Sequence, residues 1–171
     1  MSDIEQWLYA LPALPAVVRV LVATRYSGYM RVLLPEEALQ RMDHRTVLAA
    51  LASISFAGLL ALVVLPGLPE RQLAIWFMLA SFLCLLAALN LQGYKARRWH
   101  DWTGDALFEG ATLALLAAVA TFVVKSELSA IFRTTVVALA AVVWLADFCL
   151  RIYFEVGNLR AQEERDGLTT R

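Results

Sequence analysis

The chain has 171 residues, 60% of them hydrophobic and only 18% charged, against about 25% charged in an ordinary soluble domain. Its 15 Lys and Arg balance 15 Asp and Glu, so it lacks the basic excess that nucleic-acid binding calls for. These values argue against a soluble globular domain and for an all-α, multi-pass membrane protein.

The opening MSDIEQWLYALPALP does not have the form of a cleaved signal peptide, because Asp3 and Glu5 come first and Pro12 and Pro15 interrupt the apolar run. Ser2 and Glu5 have capping-box spacing and would open a short helix carrying Ile4, Trp7, Leu8 and Leu11. The prolines then break or re-aim it. Leu14 to Thr24 is apolar, too short to span, and holds Arg19 at its middle. It is expected to lie in the membrane interface with Arg19 snorkelling to the headgroups; a re-entrant segment, or a helix packed against the spans, is the alternative. Residues 1–45 therefore read as an interfacial or cytoplasmic N-terminal region, amphipathic in character. Within it Ser27-Gly28 is a break, and Pro35-Glu36-Glu37 opens a helix leading into the first span, its acids facing the positive end of the helix dipole.

Four apolar runs follow, giving a transmembrane domain over 46–155 and a tail over 156–171. Thr46 to Leu65 is 20 residues without a charge, closed by Pro66-Gly67-Leu68-Pro69, and Gln72 to Leu91 is a second run of the same length. The third, Ala106 to Val124, carries one acid, Glu109. The fourth spans 130–152 and must take charge inside, since only 13 uncharged residues separate Arg133 from Asp147. At ~1.5 Å per residue that is roughly 20 Å, less than a hydrocarbon core of roughly 30 Å. Arg133 can snorkel at the outer end, which leaves Asp147 as the expensive residue. Beyond it the helix is expected to continue to Arg165 and stop at Gly167.

Lys and Arg fix the expected orientation. The N-terminal region, the 94–105 loop and the C-terminal end from Arg151 onward hold all but Arg71, Lys125 and Arg133, which places both termini and that loop in the cytoplasm of a bacterial inner membrane. The four helices are expected to form a bundle. Small residues recur four apart on each, most regularly Ala49, Ser53, Ala57 and Ala61, and this stripe is the candidate helix-packing face, within the bundle or between copies in a homo-oligomer.

With that topology the intramembrane polar residues gather at the cytoplasmic end: Asn90, Glu109, Asp147, Arg151 and Glu155, with Asp105 beside them. Asp147–Arg151 and Arg151–Glu155 are both i,i+4, and Glu109 sits at a depth where it can compete for Arg151. The cluster reads either as a clamp fixing helix register or as a polar path at the cytoplasmic mouth. In the 94–105 loop, Lys95, Arg97 and Arg98 beside Trp99 and Trp102 are the pairing of cations and aromatics that an anionic leaflet or a partner protein attracts. His44 and His100 have no ligand spacing, the cysteines Cys84 and Cys149 fall singly in apolar runs and read as buried small hydrophobes, and no glycine loop, HExxH or GxSxG is present. Neither a metal nor a cofactor nor a catalytic constellation is indicated. The function this supports is a non-catalytic membrane subunit, self-associating and docking a cytoplasmic partner, as a sensor or scaffold in a stress or defence system. The alternative is a small oligomeric ion or proton channel, or a transporter, using Asp147, Arg151 and Glu109.

Overall fold

The computed structural model of the chain describes residues 7–25, 35–64, 68–91, 98–125 and 128–169. Every regular element among them is helical: a 3-10 turn at Leu11–Ala13, then α1 (Leu14–Arg25), α2 (Pro35–Val64), α3 (Leu68–Leu91), α4 (Arg98–Lys125) and α5 (Ala130–Thr169). The stretches Arg45–Val64, Gln72–Leu91, Trp102–Lys125 and Ala130–Gly157 are each long and apolar enough to cross a membrane. Ser2, Glu5 and the Ser27-Gly28 break lie outside the described residues.

Local chemistry accounts for the element ends. Pro12 opens the 3-10 turn and Pro15 occupies the first turn of α1, where a missing N–H leaves no helical bond unmade. Ser129 caps α5, its Oγ accepting from the Phe132 N–H at 3.3 Å. At the other end α5 passes through Gly167 and ends at Thr169, correcting the expected stop. One glycine lowers helix propensity by about 1 kcal/mol but does not by itself terminate a helix.

Helix α4 is the element on which the others are assembled. It shares its longest contact with α3, which in turn packs on α2, while α1, the 3-10 turn and α5 also lie on α4. Gly110, Ala111, Ala114 and Ala118 are buried on α4, and their small side chains let neighbouring backbones come close. Two apolar clusters result, one of Leu48, Ala52, Leu85, Ala88 and Ala111, the other of Phe77, Ala114 and Ala118. Between α2 and α3 the buried hydroxyls of Ser55 and Ser81 bond each other at 3.1 Å.

The buried face of α2 is Leu48, Ala52, Ser55 and Leu62. Ala49, Ser53, Ala57 and Ala61 lie on its exposed side, so among the described residues that stripe is not the buried packing face. A helix apolar on every side offers no hydropathy contrast to tell which face packs; here Gly58 and Ser55, facing Met78 and Ser81, mark the contact.

Helix α5 is the least enclosed. Phe148 is buried and Trp144 half-buried, whereas Ile131, Val142, Val143, Tyr153 and Phe154 are exposed. Of the two cysteines, Cys84 is half-buried, but Cys149 is exposed on α5, a correction to the expectation that both are buried.

Candidate functional site

The N-terminal segment does not leave Arg19 to reach for a surface. Pro15 and Arg19 are i,i+4 on α1 and therefore share one face, and both are buried, Arg19 to 2% exposure. On α4, Asp105 and Glu109 are likewise i,i+4. The two faces meet because Gly110, next to Glu109, has no side chain: a Cβ built there would stand 2.5 Å from the carbonyl oxygen of Pro12. That close approach seats the start of the N-terminal segment on α4 and carries Arg19 to the carboxylates. Higher on the same segment, Trp76 Nε1 of α3 donates to the Tyr9 carbonyl at 3.2 Å, and the two rings lie 6.0 Å apart.

Arg19 is the centre of the site. Its Nε and Nη2 donate to the two oxygens of Glu109 at 2.7 and 2.6 Å, the bidentate fork for which guanidinium is suited. Its Nη1 donates to Glu155 of α5 at 2.6 Å and stands 4.0 Å from Asp105. One cation thus joins α1, α4 and α5. Burial opposes its charge, but the Glu109 hydrogen bonds and the charges of Glu155, Glu109 and Asp105 outweigh burial, and its proton is held more tightly than in water. Glu109 is itself only 3% exposed, so each partner is the main compensation for the other's desolvation.

Against the sequence-level cluster, the structure brings Glu109 and Glu155 together through Arg19. Arg151 does not engage Glu109; its Nε donates to Asp147 at 2.7 Å within α5, and its guanidinium lies 5.6 Å from the centre of the Phe108 ring. Asp147 and Arg151 are both exposed, at 61% and 45%. Asn90 is exposed near the end of α3. Below the carboxylates, Trp144 of α5 donates to Thr112 of α4 at 3.2 Å, and Thr112 to the Glu109 carbonyl at 3.0 Å. In the loop set, Lys95 and Arg97 lie outside the described residues, as do the side chains of Arg98 and Trp99; Trp102 is half-buried in the first turns of α4.

The residue that sequence reasoning missed is Arg19, and a signal for it exists. Arg19 is a cation at the middle of one apolar run and Glu109 an acid inside another, and ionisable groups at membrane depth are expected to find each other. Chemically the site is an ion-pair knot of one cation and three carboxylates: it fastens three elements and orients α5. Comparison with known proteins returns no match to a protein-family model, a curated protein or a solved structure.

Proposed function

We propose that the chain is a non-catalytic, multi-pass subunit of a bacterial inner membrane, its four spans gathered as a bundle with both termini in the cytoplasm. In this reading it self-associates and presents its C-terminal helix to a cytoplasmic partner, as a membrane sensor or scaffold. The observation that carries the reading is the continuity of α5. It runs unbroken from Ala130 to Thr169, roughly 60 Å at ~1.5 Å per residue, twice a hydrocarbon core of roughly 30 Å. Glu155, where α5 leaves the apolar stretch, is held by Arg19. A change in how the N-terminal segment sits on α4 is thereby coupled mechanically to the projecting end of α5.

The ion pairing supports a clamp over a conduction path, because Glu109 is occupied on both oxygens by Arg19. Self-association is supported by the exposed Asp147–Arg151 pair on a membrane-spanning stretch, where a charged face toward lipid is unfavourable and a second copy or water relieves it. The test is affinity purification of the full chain from mild detergent beside a variant ending at Gly157. The reading expects a cytoplasmic protein in stoichiometric amount with the full chain and its loss with the shortened one. Recovery of no such protein, together with liposome ion flux that Asp147→Asn abolishes while oligomers stay intact, overturns it in favour of a channel.

A further inference from the structure

The geometry points to a lipid-binding groove: the cleft between α4 and α5 takes one acyl chain of a glycerophospholipid, with the lipid's phosphate at Lys125. The cleft has a volume of about 410 Å³. One wall is α4 from Leu113 to Lys125, the other α5 from Val137 to Trp144, and Leu11 and Phe77 close its back.

Three observations identify the occupant. The interior offers nothing to a polar ligand, since the Thr121 hydroxyl is turned to its own helix, donating to the Ala118 carbonyl at 2.7 Å, and Trp144 Nε1 is bonded to Thr112. Water there would lack the two to four polar partners it needs. The cleft also has the length of a leaflet. From Leu113 to Lys125 α4 advances roughly 18 Å, close to half of a roughly 30 Å hydrocarbon core. Its mouth is cationic, for Lys125 lines it and Arg133 reaches the Val124 carbonyl at 2.7 Å beside it. Cations at that depth attract lipid phosphate. Small side chains at Ala117 and Ala140 keep the space open.

Native mass spectrometry of the full-length protein in mild detergent, titrated with dioleoyl phosphatidylglycerol, tests the site. Wild type is expected to retain one lipid per chain. Ala140→Phe fills the cleft and is expected to weaken retention about tenfold or more. Lys125→Gln, on an exposed residue, is expected to weaken it several-fold, and Val119→Phe, on the exposed side of α4, to leave it unchanged. Retention by Ala140→Phe and Lys125→Gln equal to wild type overturns the proposal, as does an equal loss in Val119→Phe. Should Ala140→Phe not fold, the Lys125→Gln and Val119→Phe pair decides in the same way.

Discussion

Replacing Gly110 by alanine adds one methyl group, and the structure gives its consequence in distances. The new Cβ would stand 2.5 Å from the Pro12 carbonyl oxygen, and that atom is backbone, so no side-chain rotation relieves the contact. Reaching an ordinary contact of 3.4 Å requires α4 and the N-terminal segment to part by about 0.9 Å. Arg19 sits two turns further along that segment, with bonds to Glu109 of 2.6 and 2.7 Å, and a displacement of this size takes them out of good geometry. Overpacking of this kind costs about 1–3 kcal/mol, and alanine's better helix propensity returns about 1 kcal/mol. With the weakened ion pair included, a net loss of about 2 kcal/mol is expected, or roughly 4–8 °C in melting temperature for a chain of this length. Two glycines serve as controls in the same thermal unfolding assay in detergent. At Gly58 the methyl meets the flexible end of Met78, Cε at 2.9 Å and Sδ at 3.3 Å, which can turn aside, so Gly58→Ala should fall within about 1 kcal/mol of wild type. At Gly104 it meets nothing within 4 Å, and Gly104→Ala should be neutral or stabilising. A Gly110→Ala protein that melts with or above Gly104→Ala would refute the close seating of the N-terminal segment on α4.

The carboxylates around Arg19 should rank by contact and burial. Glu109→Gln, at a residue taking both its bonds from Arg19 and 3% exposed, is expected to lower stability most; Glu155→Gln, bonded to Arg19 at 23% exposure, by about 1.5–3 kcal/mol or less; and Asp105→Asn, at 4.0 Å and 60% exposure, by no more than about 1 kcal/mol. Chemical denaturation of the three variants checks the order. Ser55→Ala leaves the buried Ser81 hydroxyl without its cross-helix partner and should cost about 0.5–1.5 kcal/mol, with Ser55→Ala/Ser81→Ala closer to wild type than the two single losses added. An additive pair in that cycle would mean the two hydroxyls do not support each other.

The four spans were legible because a membrane demands long uncharged runs, and Thr46–Leu65 and Gln72–Leu91 supply them without ambiguity. The Asp147–Arg151 bond was legible for a local reason, since i,i+4 spacing on a helix puts the two side chains on one face. Arg19–Glu109 was not, because 90 residues separate them and periodicity relates positions only within one helix. The same limit hides Ser55–Ser81. The small-residue stripes divide instructively. On α4, Gly110, Ala114 and Ala118 do face neighbours, while on α2 the more regular Ala49, Ser53, Ala57 and Ala61 face outward. In an alanine-rich helix apolar on all sides, small residues recur on several faces, and which one packs depends on the shape of the opposing helix.

The ion pair on which the architecture turns is tested most directly by a double-mutant cycle at Arg19 and Glu109, read as unfolding free energy in detergent. Arg19→Met leaves Glu109 buried without its cation, and Glu109→Met leaves Arg19 without its bidentate acceptor. Each is expected to lose about 3–5 kcal/mol. The double variant removes both charges and should recover much of that loss, giving a coupling of several kcal/mol. A double variant whose loss equals the two single losses added would contradict the clamp and return Arg19 to the membrane interface.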